Sequence, residues 1–80
     1  MNFAVIGLGS FGLKRAKAIK SSKVAKLKTI FDLSSQKLEE AKEILNVQSN
    51  NFNEILNDKA IDIVCICTPN KNGHFYLHTK

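Results

Sequence analysis

A chain of 80 residues with one proline and 44% hydrophobic residues holds enough apolar material for one compact domain, or part of one, and at this size the core is marginal. Its charge of +5 comes from 12 Lys and Arg against 7 Asp and Glu; with no basic leader and no apolar stretch of about 18 residues, neither a signal peptide nor a membrane span is expected. Cys65 and Cys67 stand two apart in an apolar run, so they share one side of a strand, cannot bridge each other, and fit a reducing, cytoplasmic compartment.

Phe3 to Ile6 are consecutive apolar or small residues running into glycine, the pattern of a strand buried on both faces of a parallel sheet. From Phe11 to Lys20, Gly12, Ala16 and Ile19 recur at helical spacing with Leu13 beside them, while Lys14, Arg15, Lys17 and Lys20 fill the other face. Ser21 and Ser22 end that helix. A second strand follows within Val24 to Phe31, with Val24, Leu27, Ile30 and Phe31 apolar, and Asp32 closes it. Ser34 or Ser35 caps a second helix running to about Leu45, with Leu38, Ala41, Ile44 and Leu45 on its apolar face. Asn46 to Asn53 leaves room only for a short third strand before a short helix carrying Ile55 and Leu56. Ile61 to Cys67 is the most apolar and β-branched run, a central buried strand that Thr68, Pro69 and Asn70 stop. A further helix is expected from near Asn72 to Lys80. Strands alternating with helices predict an α/β fold: a partial doubly wound, Rossmann-type parallel sheet of about four strands, with right-handed crossovers and helices on both faces.

The spacing Gly7-x-Gly9-x-x-Gly12 falls between the first strand and the first helix. There Gly7 allows a tight turn, Gly9 lets a pyrophosphate approach the backbone, and Gly12 lets helix and strand pack closely. The amides near Ser10 and Phe11 and the positive helix end would face the phosphates. Asp32 lies twenty residues beyond Gly12, at the end of the second strand, where a carboxylate can accept both adenosine ribose hydroxyls. A carboxylate there also repels a 2′-phosphate, which favours NAD over NADP; Ser34, Ser35 and Lys37 stand close enough to keep NADP open. Thr68, Pro69 and Asn70 sit at the carboxyl end of the most buried strand, where ligands of open α/β sheets bind, and equally fit a strand-to-helix turn capped by Asn70. His74 and His78 are four apart, a spacing able to share a metal, but no carboxylate or thiol lies near them, so no metal site is assigned. Cys65 and Cys67 read as small buried hydrophobes.

Taken together, "AVIGLGSFG", "FDLSSQKLEEAKEI" and "NFNEILNDKAIDIVCICTPNKNGH" resemble the N-terminal half of the nucleotide-binding domain of the Gfo/Idh/MocA oxidoreductases, the glucose-fructose oxidoreductase and inositol dehydrogenase family. The resemblance spans essentially the whole chain. It implies that Gly9, Ser10 and Phe11 hold the pyrophosphate, that Asp32 holds the ribose, and that Thr68, Pro69, Asn70 and His74 lie toward the nicotinamide. His74 follows Asn70 by four residues, where family members commonly have three. The family's Glu-Lys-Pro motif, its catalytic histidine and its substrate domain do not occur in these 80 residues. Residues 1–80 are therefore expected to be an incomplete dinucleotide-binding domain without catalytic residues, from an enzyme moving hydride between nicotinamide and a sugar or cyclitol carbinol carbon. Two alternatives remain: a non-catalytic NAD-binding or regulatory module, and a nucleic-acid contact through the basic run from Lys14 to Lys28, which otherwise only solubilises a helix face.

Overall fold

A computed structural model of the chain describes residues 1–67 and 76–79. The elements are strand β1 (Asn2–Ile6), helix α1 (Ser10–Ser21), strand β2 (Lys26–Phe31), helices α2 (Ser35–Leu45) and α3 (Phe52–Asn57), and strands β3 (Ile63–Ile66) and β4 (Tyr76–Thr79). They form one sheet in the order β2-β1-β3-β4. β1 is central and parallel to both β2 and β3, and β4 runs antiparallel to β3.

Alternation along β1 divides the core into two layers. Val5 faces Ala16 and Ile19 of α1 and Ala41 and Leu45 of α2, in a cluster that includes Leu27, Ile30, Cys65 and Cys67. Ala4 and Ile6 face the other way, onto Ile55 of α3, Ile61 and Val64. Helices thus cover both faces, as the pattern predicts. The small residues of α1 explain its place: Gly12, Ala16 and Ile19 are its buried residues, one stripe down the helix. Both cysteines are buried, unpaired and in the same layer.

Four expectations are corrected. Tyr76–Thr79, read as helix, is a strand that continues the sheet along β3 in register from Ile66↔Tyr76 to Ile63↔Thr79; it pairs backbone groups that β3 would otherwise leave at an open edge. The sheet is consequently parallel only through β2, β1 and β3. The short third strand reduces to one parallel bridge between Ile30 and Ser49, with the Ile30 amide donating to Gln48 at 3.2 Å. Val24 precedes β2 and is exposed, as is Ile44 on α2. At 100° per residue Ile44 falls to the side of the line through Leu38, Ala41 and Leu45, and only the last two are buried.

Candidate functional site

β1, β2 and β3 are parallel, so their carboxyl ends lie on one edge of the sheet, and the chain leaves that edge at Gly7, Asp32 and Cys67. Backbone bonds hold these three exits together. The Gly7 amide donates to the Phe31 carbonyl at 2.8 Å, and the Cys67 amide to the Ile6 carbonyl at 2.7 Å.

The three glycines have three different physical reasons. Gly7 has φ 96°, a conformation in which an L side chain is strained. At Gly12 a Cβ would overlap the Gly7 carbonyl, so α1 can seat against the strand end only without a side chain there. Gly9 has φ −67° and ψ −172°, which any residue adopts, and a Cβ added to it would meet no atom within 4 Å. The turn and the packing account for Gly7 and Gly12. Neither backbone conformation nor packing requires a glycine at Gly9.

Gly9 is also the N-cap of α1 and brings no side-chain acceptor to the helix. The first helical bond runs from the Leu13 amide to the Gly9 carbonyl, so the amides of Ser10, Phe11 and Gly12 lie ahead of the ladder, at the positive end of the dipole. No acidic residue occupies this first turn. Ser10 and Phe11 are exposed, and the Arg15 guanidinium stands 5.8 Å from the centre of the Phe11 ring. Open space over Gly9, helical amides and the absence of an acid together fit an anionic diphosphate.

Asp32 faces this turn from the end of β2. Its Oδ2 accepts the Leu8 amide at 2.7 Å and its Oδ1 the Ser34 amide at 2.7 Å. A carboxylate offers about four acceptor positions, so each oxygen can take a further donor, such as a ribose hydroxyl. Ser34 also caps α2 by accepting the Lys37 amide at 3.3 Å.

Two residues that the glycine-and-acid pattern does not single out belong to this arrangement. Leu8 supplies an amide to the carboxylate, and Leu33, 93% exposed beside Asp32, offers bare apolar surface. Leu33 was discernible as an apolar residue outside any buried stripe; the Leu8 contact is a backbone bond with no sequence signal. Thr68, Pro69, Asn70 and His74 lie outside the described residues. At the end of the basic run, Lys28 on β2 is paired with Asp58, which follows α3, at 2.6 Å. Among the described residues no group of three His, Cys, Asp or Glu could hold a metal, and no helix is long and apolar enough to cross a membrane.

Residues 1–80 match the model of the family GFO_IDH_MocA, described as an oxidoreductase family with an NAD-binding Rossmann fold. No curated protein matches. Among solved structures, a probable dehydrogenase from Thermotoga maritima is 33% identical, with 85% of this chain and 21% of that one covered and a TM-score of 0.77. Myo-inositol 2-dehydrogenase from Lactobacillus plantarum is 30% identical over 86% of this chain and 21% of its own, TM-score 0.73. Scyllo-inositol dehydrogenase from Lactobacillus casei, solved with NAD(H) and scyllo-inositol, is 28% identical with the same coverage and a TM-score of 0.74. The chain thus spans about a fifth of the length of the structures it matches.

Proposed function

The chain belongs to the Gfo/Idh/MocA oxidoreductase family, as its NAD-binding Rossmann part, and from that premise we propose that it forms the adenosine and diphosphate half of an NAD site. The observation that carries this reading is Gly9: a glycine that neither its backbone conformation nor its packing requires, at the N-terminus of α1, facing open space. A diphosphate seated there faces the first turn of α1 and can receive the amides of Ser10 and Gly12, with Phe11 beside it. Gly7 and Gly12 keep turn and helix in place for it. Asp32 takes the ribose hydroxyls on the acceptor positions left beside Leu8 and Ser34, and Leu33 lies under the adenine. Thr68, Pro69, Asn70 and His74 continue the site toward the nicotinamide.

Bound NAD supplies a hydride acceptor at C4 of its nicotinamide ring. The residues of this chain hold and orient the nucleotide, and the groups that move the substrate proton are supplied from beyond them. The substrate class is a sugar or cyclitol whose carbinol carbon gives up hydride, in agreement with the inositol dehydrogenases among the similar structures. The reaction belongs in the cytoplasm, where the two free thiols are stable. A module that binds NAD without chemistry would share every feature above, and a dehydrogenase assay on the complete reading frame with inositols separates the two.

Calorimetric titration of the chain with NADH tests the binding. Saturable binding that Asp32→Ala weakens by about tenfold or more is expected, the size of one or two hydrogen bonds to a charged group. Equal affinity in parent and variant removes Asp32 from the site, and no binding by the parent removes the reading.

A further inference from the structure

We propose that the Asp32 carboxylate also sets the shape of the glycine turn, so that one side chain organises the diphosphate-holding backbone as well as the ribose end.

The pairing of β1 with β2 ends at Ile6↔Phe31. Past that point the chain turns through Gly7 at φ 96°, and the two strands diverge, yet the contact between them continues for two more residues. The Gly7 amide bonds the Phe31 carbonyl, and the next amide, that of Leu8, bonds Asp32 Oδ2 at 2.7 Å. A side chain thereby supplies the rung that the backbone of β2 can no longer offer. Leu8 is itself 4% exposed, its side chain packed in the α1 and α2 layer, so water has poor access to its amide and the carboxylate is its partner. The other oxygen is anchored: Oδ1 takes the Ser34 amide two residues on, and Ser34 in turn caps α2. The start of α2, the carboxylate and the turn preceding Gly9 are linked in one chain of bonds. Asparagine cannot replace it. Both contacts are to donors, and a carboxamide has only one acceptor atom to give them.

The diphosphate half of this inference rests on the cofactor reading above; the turn half does not. Three measurements on the full chain decide it. In the unaltered protein, NMR should detect a coupling through the hydrogen bond between the Leu8 nitrogen and Asp32 Cγ, which needs no variant to fold; its absence in an assigned spectrum overturns the proposal. In Asp32→Ala, which removes both acceptor oxygens, hydrogen exchange at the Leu8 amide should rise about tenfold relative to Val5 in the middle of β1, the size expected for loss of one charge-assisted bond; unchanged exchange overturns it. With ADP and 2′,3′-dideoxy-ADP as probes, Asp32→Ala should weaken both; the dideoxy nucleotide has no hydroxyl for Asp32 to bind, so its loss of affinity can come only through the turn. Weakening of ADP alone leaves Asp32 a ribose contact only and overturns its role in the turn's hold on the diphosphate. An unaltered chain that binds neither nucleotide refutes the cofactor reading and the diphosphate half with it, while the coupling and exchange still decide the turn.

Discussion

A side chain at Gly12 would occupy the space of the Gly7 carbonyl oxygen and stand 3.2 Å from Cβ of Cys67. The first and last glycines of the turn are therefore fitted to each other, and the middle one is not. Gly12→Ala gains about 1 kcal/mol of helix propensity, but the clash is with backbone, which cannot rotate away. We expect a net loss of about 1–3 kcal/mol, seen as a fall of several degrees in thermal unfolding followed by circular dichroism. Gly9→Ala is expected to leave the unfolding temperature nearly unchanged and to weaken NADH. A Gly9→Ala variant that loses stability instead would place the need for glycine in the fold and not in the ligand.

The strand and helix order was legible because periodicity reports burial. Gly12, Ala16 and Ile19 read as one helical stripe and are the buried residues of α1; Cys65 and Cys67 read as strand residues on one side and share a layer. What stayed hidden depends on partners distant in sequence. In β2 the spacing of Leu27 and Ile30 fits no strict alternation, and the pairing shows why: Phe3 is opposite Leu27 while Ala4 is opposite Thr29, so Lys28 is an extra, bulged residue. The bulge keeps Leu27 and Ile30 on one face and turns Thr29 inward, 2% exposed, where its hydroxyl lies 3.2 Å from the Gln48 carbonyl and 2.8 Å from Asn50 Oδ1. No local pattern announces a buried threonine that depends on residues beyond the next helix. Tyr76–Thr79 illustrates the same limit: four residues suit helix or strand, and pairing with β3 decides. At the site, the glycines and Asp32 were legible as residue types, and the bond between Leu8 and Asp32 was not.

Helix α2 ends on Asn46, the only non-glycine residue with positive φ among those described, at φ 52° and ψ 52°. Its amide closes the helix on the Lys42 carbonyl at 2.8 Å, a bond that every non-proline residue can make, so the preference lies in the backbone conformation. Asn46→Ala is expected to cost about 1 kcal/mol, the penalty for an ordinary side chain in the left-handed region. Asn46→Gly should stay within about 0.5 kcal/mol of the parent, since relief of strain is offset by the greater freedom of the unfolded chain. Urea denaturation midpoints check both. Equal losses in the two variants would mean that the asparagine side chain matters and the conformation does not.

The two thiols make stability depend on alkaline pH. Burial pushes both upward; Cys67 is raised further by its neighbour Cys65, and the Arg15 charge offsets part of the rise in each. In the unfolded chain a thiol ionises near its ordinary value of about 8.5, whereas the folded chain holds the proton to higher pH. Over that interval the unfolded state binds fewer protons than the native state, so stability falls as pH rises from the ordinary thiol value toward the raised one, and below the ordinary value the effect is absent. The chain with Cys65→Ala and Cys67→Ala is expected to show a shallower decline above pH 8 than its parent, by urea denaturation at stepped pH, although the smaller side chains lower its stability at every pH. A disulfide reagent such as dithionitrobenzoate should react with the parent thiols slowly in buffer and rapidly once urea unfolds it. Parallel pH profiles in the two proteins, or fast labelling in buffer, would show that the thiols ionise as freely in the fold as outside it, and that the layer under α1 admits water.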